Sequence, residues 1–165
     1  MIWCIQIVPT FASPVPMNAE SALDEILALL ASGASVEGGP GVSLLDRALQ
    51  RAELAQKARA SDDLLVAALL GDVGVLLTPG PGSGSDPDRR AAAFLRERGL
   101  SERVVELVSA RRSPRRPDSA ASESEFAQLR RWDAEGRRPS WKPPDLACYR
   151  ELLLRALRIG AARRG

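Results

Sequence analysis

A single carboxylate, Asp72, stands between two glycines at the end of a stretch that is otherwise almost wholly apolar, Ser61 to Leu77, SDDLLVAALLGDVGVLL. Burying an unpaired charge is costly, so an aspartate in that place needs a partner or a task. A desolvated carboxylate with a raised pKa can act as a general base without histidine. That matters here because the chain contains no histidine at all. Imidazole bases, imidazole metal ligands and every Ser–His or Cys–His nucleophile are thereby excluded. Cys4 and Cys148 are isolated and show no CxxC spacing. They read as two ordinary buried thiols of a reduced, cytoplasmic protein, with neither a zinc site nor a disulfide scaffold. The run PGPGSGSDP, Pro79 to Pro87, lacks the Lys-Ser/Thr and the following apolar helix that a phosphate-cradling loop needs. It reads as a flexible loop.

The elements that must position Asp72 are helical. Leu64, Leu65, Ala68 and Leu69 recur at the spacing of one helical face, Val66, Ala67 and Leu70 make the rest nearly as apolar, and Ser61 or Asp62 can cap the start. Such a helix belongs in the centre of a domain. Before it, the pattern predicts a helix over Glu20 to Ala31 ending at Gly33, then a Gly/Pro loop over Val36 to Gly41. A second helix, capped by Ser43, runs to about Arg59 with Leu45, Ala48, Leu49, Ala52 and Ala55 facing inward. The short linker to the central helix implies an antiparallel hairpin. After it, Asp88 is expected to cap Arg89 to Arg98, with Gly99 as the stop. Ser101 caps a helix of Val104, Val105, Leu107 and Val108. Arg111 to Asp118 is a basic, mobile connector. Ser122-Glu123-Ser124-Glu125 has the form of a capping box ahead of Phe126, Leu129 and Trp132. Trp132 is expected to be buried. Asp145 caps a last helix striped by Leu146, Tyr149, Leu152, Leu153, Ala156 and Leu157.

With 165 residues, 45% apolar and only 4% aromatic, the composition fits one all-α domain with a core of Leu, Val and Ala. Net charge is +2 but uneven: residues 1–100 carry 8 basic and 12 acidic side chains, residues 101–165 carry 15 and 9. A basic half can meet an anionic partner, though Arg-rich codon usage explains it as readily. MIWCIQIVPTFASPVP, residues 1–16, reads as an N-terminal arm, too short in its apolar run for a membrane span. Residues 17–160 form the domain and 161–165 a basic tail.

Three segments together resemble the HD-domain superfamily, in particular the small HD-domain oxygenases of organophosphonate breakdown and their relatives. They are Val42-Ser43-Leu44-Leu45-Asp46-Arg47-Ala48-Leu49-Gln50, then Gly71-Asp72-Val73-Gly74-Val75, and then Leu129-Arg130-Arg131-Trp132-Asp133 followed by Pro144-Asp145-Leu146 and Tyr149-Arg150. The resemblance implies an HD-like bundle of about seven helices over roughly residues 17 to 158. It places Arg47 where the family has a metal-binding histidine, Asp72 in the His-Asp pair, and Asp133 at the last metal ligand. Further family histidines fall near Pro87 and at Val108. The family's long segment between its fifth and sixth helices is replaced here by Arg112 to Ala121. A dinuclear iron or manganese site needs about four imidazoles beside its two carboxylates. This chain keeps only the carboxylates, so no cofactor and no transition metal are expected. A hydrated magnesium ion is the most that two aspartates would hold.

The resemblance therefore implies a pseudoenzyme, an HD-fold module that binds a small molecule or a protein partner. The alternative is a metal-independent enzyme reusing the old pocket, with Asp72 and Asp133 as catalytic candidates and Arg47, Arg137 and Lys142 as ligand-binding groups. A nucleic-acid module is disfavoured, because no known motif is present and aromatic residues to stack bases are few. No membrane partner is expected, and the oligomeric state is left open. Two aspartates left facing each other would repel. Arg47, with a planar charged fork, is expected to lie between them and pair with one or both.

Overall fold

The computed structural model describes residues 18–77, 86–110 and 120–163. The fold is all-α. Among the described residues it has seven helices of two turns or more, one single-turn helix and a two-stranded hairpin. Asn18 caps α1 (Ala19–Ser32) by accepting the Ser21 N–H, and Gly33 ends it. The hairpin, β1 (Glu37–Gly39) and β2 (Val42–Ser43), replaces the irregular loop expected over Val36 to Gly41. Glycine at positions 39 and 41 with positive φ turns the chain tightly enough for the flanking residues to pair.

Ser43 then caps α2 (Leu44–Lys57), accepting from the Asp46 N–H and donating to the Asp46 carboxylate. Ser61 caps α3 (Asp62–Leu70) by accepting from the Leu64 N–H, and every residue from Leu64 to Leu70 is buried. This helix is touched by α2 and by the later helices Glu102–Ser109, Ala120–Glu135 and Arg150–Ala162, which accounts for its lack of a polar face. Arg47 reaches Asp72 while Arg51 reaches Ala68, so α2 and α3 run antiparallel. Gly71-Asp72 breaks the helix before the single turn α4 (Val73–Leu76).

Helix α5 (Pro87–Arg98) starts two residues earlier than expected. Its cap is Asp86, which accepts from the Asp88 N–H, and Pro87 takes the first helical position, where a missing N–H costs nothing. Gly99, with φ of 96°, closes it. Ser101 caps α6 (Glu102–Ser109), whose Val104, Val105, Leu107 and Val108 are buried. Helix α7 (Ala120–Glu135) also begins early. Ser122 lies inside it, so the capping-box reading of residues 122–125 is not realised. Alanine is the strongest helix former and extends the helix upstream of the serine. Asp145 caps a short 3₁₀ turn, Leu146–Tyr149, which leads into α8 (Arg150–Ala162).

The core is a layer of Leu, Val and Ala from all the long helices, joined by Phe126, Trp132 and Tyr149. Cys148 is exposed, contrary to the expectation of a buried thiol, because Tyr149 takes the inward position of that 3₁₀ turn. The expected arm over residues 1–16, the loop at 79–85 and the connector at 111–118 lie outside the described residues. No described helix is long and apolar enough to cross a membrane.

Candidate functional site

The inner face of α2 carries two arginines one turn apart, Arg47 and Arg51, among the alanines that pack it onto α3. Asp72 meets them from the break after α3, and Asp133 from the last turn of α7. A carboxylate in the last turn of a helix opposes the helix dipole. Three guanidiniums offset that at Asp133. Arg47 forks onto it, with Nη2 at 2.8 Å and 2.9 Å from its two oxygens and Nε at 3.2 Å. Arg51 donates Nη1 to its Oδ1 at 2.9 Å, and Arg137 donates Nη2 to its Oδ2 at 2.9 Å.

Asp72 is 2% exposed and accepts from Arg51 Nη1 at 2.6 Å, while Arg47 Nε stands 3.8 Å away. Arg47 thus pairs with both aspartates, as expected. Arg51, which the sequence reading did not single out, is the more central of the two. Its side chain is 0% exposed, and its Nε donates to the Ala68 carbonyl on α3. Its Nη2 is a buried donor without an acceptor among the described residues. Arg47 also donates Nη1 to the Gly38 carbonyl, tying the hairpin to the centre. The signal for Arg51 was its place on the apolar face of α2, four residues after Arg47.

The candidate residues are therefore only partly assembled. Arg47, Asp72, Asp133 and Arg137 converge, with Arg137 half exposed at the rim. Lys142 does not join them; it lies exposed on the following loop and makes no ion pair among the described residues. The group does not fit a metal ion. Among the described residues two carboxylates are its only anionic donors, both are bonded to guanidiniums, and the three arginines would repel a cation. Acid–base chemistry fits no better, because both carboxylates are already bonded to guanidiniums.

A second polar group borders the first on the outer side of α2. Gln50 is buried and donates its amide to the carbonyls of Arg138 and Trp141, while accepting from the Arg138 N–H. Glu53 pairs with Lys57 at 2.6 Å. Tyr149 is 3% exposed, and its hydroxyl has no hydrogen-bond partner among the described residues. Burial, and secondarily the charge of Glu53, push its pKa up to about 12. It is the single tyrosine of the chain, so absorbance of the phenolate reports it alone. The folded value lies above the unfolded one, about 10. Its contribution to stability is therefore complete below pH about 10 and is lost as pH rises towards 12. The expected titration midpoint is near 12 in the native protein and near 10 in urea. A native midpoint at the lower value would place the ring in solvent.

The chain matches no protein-family model and none of the curated proteins.

Proposed function

We propose that this chain is a non-catalytic binding module of HD-domain ancestry, in which guanidiniums take the place of a catalytic metal. The observation that carries the reading is the pair Arg47 and Arg51 laid across Asp72 and Asp133. These are the carboxylates that the resemblance aligns with the metal ligands of the family. An arginine fork supplies the positive charge two converging aspartates need, without the open coordination positions that metal catalysis requires. The same pairing speaks against the metal-independent enzyme, since neither aspartate is left to move a proton. What remains is a rigid helical body with charged surfaces, suited to holding a small molecule or a protein partner. A cytoplasmic setting belongs to the same reading.

Native mass spectrometry with elemental analysis tests it. The protein, expressed with iron, manganese and zinc supplied, is expected to carry no stoichiometric transition metal. One equivalent of any of the three would overturn the reading.

A further inference from the structure

The loop from Gly136 to Lys142 carries Arg137, Arg138, Trp141 and Lys142. The three Gln50 hydrogen bonds hold it in one shape. Pro139 braces it against the hairpin, where a β-carbon on Gly41 would come 3.3 Å from the proline ring. The partly buried Trp141 ring has Lys57 Nζ at 5.0 Å and Arg138 Cζ at 5.8 Å from its centroid. The carboxylates that answer these cations lie inward. Glu53 holds Lys57 from a side chain 17% exposed, and Asp133 holds Arg137 from one 18% exposed. Arg138 and Lys142 make no ion pair among the described residues. Some exposed arginines on other faces meet exposed acids, as in Arg155 with Asp62 and Arg158 with Glu20. At this loop Arg138 and Lys142 stand together beside Lys57 and Arg137, and no described carboxylate pairs with either of the first two.

We infer that this loop, with Lys57 beside it, is a docking surface for an acidic segment of a partner protein. The inference rests on the binding-module reading and gives the partner its chemistry. An acidic segment matches the charge that the inward carboxylates leave exposed. Tryptophan and arginine are the residue types that most often carry interface energy. A loop already clamped by Gln50 loses little freedom on binding. Single-stranded nucleic acid needs bare aromatic faces for its bases, and here the one ring of the loop is already attended by two cations.

The test is fluorescence anisotropy of a labelled oligoglutamate peptide titrated with the full chain. Saturable binding is expected, weakening with salt and falling about tenfold in the Arg138→Glu/Lys142→Glu variant. Arg155→Glu/Arg158→Glu is expected to bind like the unaltered protein. Absence of binding, or equal binding by the Arg138/Lys142 variant, would overturn the inference. Tighter binding of an oligothymidylate of matching charge would do the same and assign the surface to nucleic acid. If circular dichroism shows the double variant unfolded, Lys142→Glu alone, at a side chain without an ion pair, gives the same reading. Elemental analysis of the same preparation separates the two ideas. Stoichiometric metal refutes the module and leaves the peptide result standing, whereas a metal-free protein that ignores the peptide refutes only the docking surface.

Discussion

Replacing Arg51 with alanine is expected to lower stability by about 3–5 kcal/mol, the range for breaking a buried ion pair from one side. The guanidinium is 0% exposed and supplies the 2.6 Å partner of Asp72 and a 2.9 Å partner of Asp133. It also holds the Ala68 carbonyl, so a buried acceptor loses its donor as well. Removing the charge from one side leaves a carboxylate that is 2% exposed in a medium that solvates it poorly. Arg51→Met/Asp72→Leu, which removes both charges and keeps most of the volume, is expected to lose much less. Urea unfolding of the three proteins decides the matter. A loss below about 1 kcal/mol for Arg51→Ala would mean that water reaches the site.

Trp132→Ala is the second large effect, again about 3–5 kcal/mol, here from lost burial and the cavity left behind. Trp132 is 5% exposed and belongs with Phe126 and Leu129 on the buried face of α7. That face seats α7 on α2 and α3. Because Asp133 is the next residue, the tryptophan also fixes where that carboxylate meets its three arginines. Trp132→Phe, which keeps most of the apolar surface, is expected to retain most of the stability. Thermal unfolding that moves no further for alanine than for an exposed-site control such as Arg131→Ala would remove the tryptophan from the core.

The helical fold was legible because capping and burial act locally and agree with one another. Ser43, Ser61 and Ser101 each accept from the N–H three residues on, and Gly99 takes the left-handed conformation expected of a stop. Where two local signals compete, the helix takes the start that favours it more. Asp88 looked like a cap, but Asp86 followed by Pro87 combines a side-chain acceptor with a preset φ. The Ser122 motif was outweighed by the alanines before it. The hairpin at Glu37 to Ser43 escaped because its pairing spans few residues and has no alternating pattern to betray it. In the site, Arg47 was found through resemblance, whereas Arg51 has no counterpart in a motif. Its role comes from the helix-on-helix register that sets it opposite Ala68 and Asp72, which no single segment encodes. Lys142 was grouped with the others by charge and nearness in sequence, and the turn of the loop carries it away from them.

The contact between Gly74 and Pro87 bears on how this molecule tolerates change. A β-carbon at Gly74 would overlap the Pro87 carbonyl oxygen, so α4 and the start of α5 touch backbone to backbone. Leu77 and Asp86, which bound the segment between α4 and α5, therefore both lie within a few residues of this contact. Closing a longer excursion between ends already pinned together costs little, about 0.6 kcal/mol for each doubling of length. That junction is thus a natural port at which the chain can be lengthened, or a whole foreign domain hosted, while the arginine-bound centre keeps its register.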